Sequence, residues 1–321
     1  MSRRTFLGGL AALGAFPFGA FAQAWPARPL KMVVPFAPGG ATDVVARLVA
    51  QRLGDALRQP VVVENRAGAG SITGTDFVAK SPADGYTLVM AANSCIAPGP
   101  LMRSSMPYDP VRDFTHLAIV GSFPNGLVVR ADHPAKSFAE FIAMARAKPG
   151  TLNYATAGIG SSGFLSGELL KQKARIDIVH IPYKGTGPAT ADLLGGQLDA
   201  TFDGLVTATP HIRSGRMRLL AVTSAERAKT FPDTPAMNEI VPGVIGAAWF
   251  GVSAPAGLPA PVAAQLQNEI VKIIATPDVQ ARLAELGMTP IGGGIRDYEA
   301  HIQAEIARWG PVIAAAKVKI D

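Results

Sequence analysis

The sequence predicts an α/β protein made of two doubly wound lobes that two hinge strands join into a clamshell. Short apolar runs alternate with amphipathic segments along the chain, which is typical of parallel strands and their crossover helices. Glycine-rich loops follow several of these runs, as strand-to-helix turns require. With 321 residues, the chain is also long enough that two lobes are favoured over a single core.

The first lobe is predicted over residues 23–125 and 247–321. Its first part contains strands over 30–35, 61–65 and 86–90. Apolar residues recur at helical spacing from Val44 to Leu53, and a second helix is predicted to run through Phe77 and Val78. A strand over 249–254 returns the chain to this lobe, and amphipathic helices over 262–275 and 298–316 close it.

The second lobe is predicted over residues 126–246, where the same alternation recurs. Its strands are predicted over 127–129, 152–156, 178–181, 200–203 and 217–222, and its helices over 138–147, 163–173 and 188–194. Ligands of two-lobed α/β proteins bind between the lobes, beyond the carboxyl ends of the strands. The sequence therefore predicts a binding cleft there.

The N-terminus has the pattern of an export signal. Arg3 and Arg4 precede an uncharged stretch over 5–22, which ends in Ala20-Phe21-Ala22. Paired arginines followed by an A-x-A site predict a twin-arginine signal peptide over 1–22, cleaved after Ala22. The alternative is a retained anchor, but the stretch is short and rich in glycine and alanine for a membrane span.

Composition restricts the function classes. Without residues 1–22, the chain has 28 basic and 24 acidic residues, a net charge of +4 that is spread along the sequence. No basic run is present, so we expect no nucleic-acid partner. Cys95 is the only cysteine, which excludes an internal disulfide, and we expect its thiol to be buried. We also expect a monomer.

Three loops share one design, in which small residues connect a strand to a helix. They span residues 35–43, 68–73 and 158–163. The first N–H groups of a helix lack intrahelical acceptors, so an anion can bind there without a basic side chain. Hydroxyl donors could assist, from Thr42, Ser71, Ser161 and Ser162. The alternative interpretation is ordinary helix capping, because Gly, Ser and Thr are common at helix starts.

Signals for catalysis are weak. The five histidines show no metal-ligand spacing, and the G-x-S-x-G pattern is absent from the sequence. We therefore expect no enzyme activity, no metal and no cofactor. Asp203 ends an apolar strand, where it could accept a hydrogen bond from a ligand or cap a loop. Lys184 could attract anions, or it could be a solvated or hinge-stabilising residue.

Several motifs together resemble Bug-type solute-binding receptors of tripartite tricarboxylate transport systems. The motifs, in order, are residues 35–40 (PFAPGG) with Asp43, 63–70 (VENRAGAG), 81–88 (SPADGYTL), 180–185 (HIPYKG), 194–199 (LGGQLD) and 231–239 (FPDTPAMNE). They cover nearly the whole chain after the export signal. The resemblance is therefore much more specific than any single motif.

The resemblance implies a periplasmic receptor with a clamshell fold like that of type II periplasmic binding proteins. Such a receptor closes on a small carboxylate and presents it to membrane permease subunits. The implied ligand-binding residues are Phe36, Ala37, Pro38, Gly39, Thr42 and Asp43 in one lobe, Ala157, Gly158, Gly160, Ser161 and Ser162 in the other, and Asn93, Tyr183 and Asp203 in the cleft between them.

Two departures from the family pattern bear on the ligand. Phe164 occupies a position where members often have histidine, and Ser71 lies in a loop where a Gly-Asn-Ile pattern is common. Together with Phe36, Ile159 and Phe202, these residues predict a less polar pocket that prefers an aromatic or short-chain carboxylate over citrate. Two alternatives to transport are a ligand-sensing adaptor for a membrane signalling protein and an exported hydrolase or isomerase that uses Ser161 or Asp203.

Overall fold

A computed structural model describes residues 25–316 and 319–320, so the predicted export signal lies outside the described residues. The strands are β1 (Leu30–Val34), β2 (Val61–Asn65), β3 (Thr87–Ala92), β4 (Phe114–Phe123), β5 (Asn125–Arg130), β6 (Asn153–Thr156), β7 (Val179–Pro182), β8 (Ala200–Gly204), β9 (Met217–Val222), β10 (Ala248–Pro255) and β11 (Thr289–Gly293). The helices are α1 (Ala41–Leu57), α2 (Ile72–Ala79), α3 (Phe138–Ala147), α4 (Ser162–Ala174), α5 (Thr186–Leu194), α6 (Leu205–Arg213), α7 (Met237–Ile240), α8 (Ala260–Ala275), α9 (Pro277–Glu285) and α10 (Ile295–Ala316).

The strands form two sheets, one in each lobe. The first has the order β11-β4-β10-β3-β1-β2, and the second has the order β7-β6-β8-β5-β9. This arrangement confirms the predicted two-lobed α/β architecture. The sheets are mixed, however, where the alternation of strands and helices predicted parallel ones. Strand β10 is antiparallel to β3 and β4, and β5 is antiparallel to β8 and β9. Both strands follow a crossover from the other lobe, so they enter their sheets from the opposite end.

Within the described residues, the chain passes between the sheets twice. Pro124 separates β4 from β5, and residues 223–247 connect β9 to β10. The two crossovers are hydrogen-bonded to each other: the backbone N–H of Thr223 donates to the carbonyl of Asn125 at 2.8 Å, and the N–H of Asn125 donates to Thr223 Oγ1 at 2.9 Å. Thr223 Oγ1 in turn donates to the carbonyl of Gly246 at 2.7 Å. The hinge is therefore a cross-linked pair of segments.

Each sheet has apolar cores against its helices. Along β1, Met32 and Val34 pack on the side of α1 and α8, whereas Val33 packs on the side of α2 and α10. This alternation places helices on both faces of the sheet, as a doubly wound fold requires. Cys95 is fully buried in the second of these cores, which confirms the expectation for its thiol. Within residues 25–316 and 319–320, every helix is too short or too polar to cross a lipid bilayer.

Candidate ligand-binding cleft

A small cavity lies between the two lobes. Its volume is about 50 Å³. It is lined by Phe36, Gly40, Ala41, Thr42, Ala92, Asn93, Ser94, Phe123, Asn125, Ala157, Ser161, Ser162, Gly163, Thr186, Phe202, Gly204, Ala248 and Phe250. Both sheets contribute, so the cavity depends on how the lobes sit against each other. None of the described residues that line it carries a charged side chain.

The starts of three helices meet at this cavity. Residues at the N-termini of α1, α4 and α5 all line it. At the start of α4, Ser161 Oγ accepts a hydrogen bond from the N–H of Phe164 at 3.2 Å, so the N–H groups of Ser162 and Gly163 remain for other acceptors. Unpaired N–H groups and the positive ends of the helix dipoles therefore surround an uncharged space, an arrangement that favours an anion.

Buried hydroxyl and carboxamide groups add further donors. Asn93, Ser94 and Asn125 are each less than 5% exposed. Ser71 Oγ and Ser94 Oγ are 2.9 Å apart and share a hydrogen bond. The side-chain oxygen of Asn125 accepts from Ser162 Oγ at 3.4 Å, whereas its NH2 group has no acceptor among the described residues. Because buried polar groups are normally paired, this NH2 group is available to a ligand.

Phenyl rings form the apolar part of the wall. Phe36, Phe123, Phe202 and Phe250 all line the cavity. The rings of Phe123 and Phe250 lie 4.8 Å apart, centroid to centroid, and both belong to strands next to the hinge. The cavity therefore combines hydrogen-bond donors with an aromatic surface, which suits a ligand that has an anionic group and a carbon body.

The lobes also touch each other directly beside the cavity. The N–H of Ala37 donates to the carbonyl of Lys184 at 2.7 Å, which joins the loop after β1 to the loop after β7. Glycines allow close approach here: a Cβ atom on Gly187 would lie 2.5 Å from the carbonyl oxygen of Pro38, and one on Gly70 would lie 2.2 Å from that of Ile159. The structure is thus a closed clamshell.

Asp43 holds the first of the three loops in shape. Its carboxylate accepts hydrogen bonds from the N–H of Gly39 at 3.0 Å, from Asn65 Nδ2 at 2.9 Å and from the guanidinium of Arg47 at 2.9 Å. Burial acts to raise the pKa of Asp43, but these hydrogen bonds outweigh it and leave the pKa lowered. The carboxylate therefore stays ionised, and its contacts are within the lobe rather than on the cavity wall.

Asp203 is fully buried at the end of β8. It accepts hydrogen bonds from the hydroxyl groups of Thr190 and Thr207. Burial raises its pKa to about 6, although these hydroxyl groups act in the opposite direction. Asp203 is next to two cavity residues, Phe202 and Gly204, but does not itself line the cavity.

The sixteen site residues predicted from the sequence fall into three groups. Those that line the cavity are Phe36, Thr42, Asn93, Ala157, Ser161 and Ser162. Ser71 and Tyr183 line an adjoining pocket of about 30 Å³, together with Phe36, Ala157 and Lys184. The remainder lie near the loops without lining either space: Ala37, Pro38, Gly39, Asp43, Gly158, Gly160, Phe164 and Asp203. Direct contact with a ligand stays a prediction for all sixteen.

Several residues of the cavity were not predicted from the sequence. They are Gly40, Ala41, Ala92, Ser94, Phe123, Asn125, Gly163, Thr186, Gly204, Ala248 and Phe250. Gly40, Ala41 and Gly163 lie within two of the predicted loops, and Thr186 directly follows the motif over 180–185, so these positions could be predicted. Phe123 and Asn125 depend on β4 and on the crossover after it, for which no strand was predicted.

Comparisons with known proteins identify close relatives. Residues 45–318 match the model of the tripartite tricarboxylate transporter family receptor. The chain is 40% identical over 301 residues to the protein BugT of Bordetella pertussis, covering 93% of this chain and 92% of BugT. The periplasmic binding protein BugD superposes with a TM-score of 0.88 at 34% identity, with 92% of this chain and 99% of BugD covered.

An adipate-bound protein of R. palustris gives a further structural match. Its TM-score is 0.88 at 38% identity, with 91% of this chain and 98% of that protein covered. All of these matches extend over both lobes.

Proposed function

Because the chain belongs to the tripartite tricarboxylate transporter receptor family, and to its Bug type, we propose that it is a periplasmic solute-binding protein for a small carboxylate. The lobes would close on this ligand and present it to the permease subunits of a tripartite tricarboxylate transporter. The family consists of receptors rather than enzymes, so the hydrolase alternative is set aside. One observation carries the proposal: three helix N-termini from both lobes meet at a cavity whose described lining is uncharged.

The cavity is smaller in this closed state than any of the candidate ligands. A cavity of about 150 Å³ holds benzene, whereas this one has about 50 Å³. Aromatic carboxylates and aliphatic dicarboxylates alike would hold the lobes further apart than they are here, so the volume does not decide between them. The related R. palustris protein has adipate bound, which supports an aliphatic carboxylate as the ligand class.

Closure would follow from contacts that a ligand makes with both lobes at once. A ligand shifts an equilibrium only by its difference in affinity for the two states. An anion between α1 and α4 contacts both helix starts only when the cleft is closed. We propose that the lobes move as two units, residues 23–125 with 247–321 against residues 126–246, about the cross-linked hinge.

Isothermal titration calorimetry with succinate, citrate, benzoate and terephthalate tests the proposal on the protein without residues 1–22. We expect succinate to bind more tightly than the two aromatic acids and citrate. Ser162→Ala should weaken binding, whereas Ser214→Ala, which removes a hydroxyl group from an exposed helix end, should not. If no carboxylate binds, or if Ser162→Ala leaves the affinity unchanged, the proposed site is wrong.

We further propose that Arg3 and Arg4 direct export by the twin-arginine route and that the mature receptor is a monomer. Replacing both arginines by lysine should retain the precursor in the cytoplasm, as cell fractionation would show. Export that persists in this variant would contradict the twin-arginine route. Light scattering on the purified protein would measure its mass, and a dimer mass would contradict the monomer.

A further inference from the structure

We infer that Asn125 is a specificity-determining residue that donates a hydrogen bond from its carboxamide to a second oxygen of the ligand. The ligand would then be a carboxylate that carries another oxygen acceptor, most simply a second carboxylate. This inference rests on the proposed function and adds to it a residue and a chemical requirement.

The polar groups of the cavity form two sets. One set consists of the helix starts at α1, α4 and α5, which can satisfy the oxygens of one carboxylate. The other set lies next to the hinge. Asn125 begins β5 directly after Pro124, and Asn93 Nδ2 donates to the carbonyl of Ala247 in the second crossover, at 3.4 Å. A ligand with a single carboxylate, bound at the helix starts, would leave the NH2 group of Asn125 without an acceptor.

In the structure, the NH2 end of the Asn125 carboxamide is the end that remains available. The side chain is 4% exposed, and its oxygen already accepts from Ser162 Oγ. Its NH2 group has no acceptor among the described residues, although the residue lines the cavity. Burying such a donor costs free energy unless a ligand pairs with it. A carboxylate, carbonyl or hydroxyl oxygen would do so, whereas a methyl group would not.

The backbone of Asn125 places this contact at the hinge. Its N–H and carbonyl groups are both hydrogen-bonded to Thr223, which ties the first crossover to the second. A residue in this position moves little when the lobes rotate. Its side chain can therefore contact the ligand in the open and the closed states, and the helix starts complete the contacts as the lobes close.

The test uses pairs of acids that differ by one carboxylate: succinate with butyrate, and adipate with hexanoate. Calorimetry on the wild-type protein should show at least 10-fold tighter binding of one dicarboxylate than of its partner acid. Asn125→Leu keeps a similar volume and removes the donor. We expect Asn125→Leu to weaken the binding of that dicarboxylate about 10- to 100-fold, which is the usual loss for a hydrogen bond to a charged group. The binding of the monocarboxylic acid of the same pair should weaken less than 3-fold.

Two more variants complete the experiment. Asn125→Asp keeps the shape but replaces the donor by a negative charge, so it should also weaken the binding of the dicarboxylate at least 10-fold. If Asn125→Leu fails to fold, Asn125→Asp serves as the test in its place. Asn268→Leu, on the exposed face of α8, is the matched control and should leave the affinity for both members of each pair unchanged.

The outcomes separate the two proposals. Equal binding of both members of each pair by the wild type would overturn the role of Asn125 and leave the carboxylate receptor standing. Equal weakening of both members by Asn125→Leu would do the same. If none of the four acids binds, the proposed function fails, and the inference about Asn125 fails with it.

Discussion

Gly187→Ala should hold the lobes apart without disturbing either lobe. Gly187 is the second residue of α5, and it has a backbone conformation that alanine adopts without strain. A Cβ atom there would lie 2.5 Å from the carbonyl oxygen of Pro38 in the opposite lobe, and 3.2 Å from the backbone of Gly39. Asp43 pins that loop through its hydrogen bond to Gly39, so the loop cannot give way. The lobes themselves must therefore separate.

The magnitude follows from the cost of overpacking. Forcing an extra methyl group into a close contact costs about 1–3 kcal/mol, which corresponds to about 5- to 150-fold weaker binding if closure accompanies binding. The free protein should not lose stability, because alanine favours a helix over glycine by about 0.5–1 kcal/mol. Calorimetry with a dicarboxylate that the wild type binds should therefore show a higher Kd, and a thermal melt without ligand should show an unchanged or higher Tm.

The matched control is Gly310→Ala in α10, where an added Cβ atom meets nothing within 4 Å. This variant should bind as the wild type does. If Gly187→Ala binds within twofold of the control, the ligand does not require the lobe contact described here. If both its Kd and its Tm worsen together, the effect is on folding rather than on closure.

Three further predictions concern the loops and the buried acids. Ser161→Ala removes the cap on the N–H of Phe164, so urea unfolding should show a free energy of unfolding lower by about 1 kcal/mol. Calorimetry should also show weaker carboxylate binding, and an unchanged affinity would exclude the start of α4 from the site. Asp43→Ala leaves the N–H of Gly39 without its acceptor and should cost about 1–3 kcal/mol at neutral pH. Because the pKa of Asp43 is lowered, this difference should shrink as the pH falls through the carboxyl range, and a constant difference would contradict it. Asp203 binds a proton more readily when folded, so its contribution to stability should fall by about 2 kcal/mol as the pH rises from 4 to 6. A pH series of melts on Asp203→Asn should lack this pH dependence.

Local signals explain why many element bounds could be predicted from the sequence. The predicted helix over 138–147 has the observed bounds of α3, because Ser137 is an N-cap whose Oγ accepts from the N–H of Glu140 at 3.2 Å. The predicted strands over 61–65 and 217–222 also match β2 and β9. In these segments, the apolar pattern and the flanking turn residues point to the same structure.

Strand β4 could not be predicted, since its stability comes from its neighbours. Polar residues interrupt its apolar pattern, and His116 is buried in the middle of the sheet region. The ring of His116 is hydrogen-bonded to Ser253 of β10 at 3.0 Å, and burial lowers its pKa to about 4, which keeps it neutral. Such a pairing joins residues far apart in sequence. Phe123 is the last residue of β4, and Asn125 begins the next strand after Pro124. Because β4 was not predicted, these two residues on the hinge side of the cleft were missed as well.

The helix starts of the cleft were predictable for the opposite reason. A strand, a few small residues and a helix form one continuous segment, so the loops at Thr42 and Ser161 stand out in the sequence alone. The distance between those two loops depends on the closure of the lobes, which no local pattern encodes. The sequence could therefore indicate the anion-binding ends of the helices, but not the volume or the aromatic wall of the space between them.

The single thiol of this receptor makes it well suited to fluorescence experiments. Cys95 is fully buried, its S–H group donates to the carbonyl of Ala92 at 3.1 Å, and burial raises its pKa. A maleimide dye needs an accessible thiolate, so it should spare Cys95 in the native protein and attach only to cysteines introduced on the surface. One such cysteine on each lobe would give a donor–acceptor pair free of background. Reaction at Cys95 itself would then report global unfolding in the same sample.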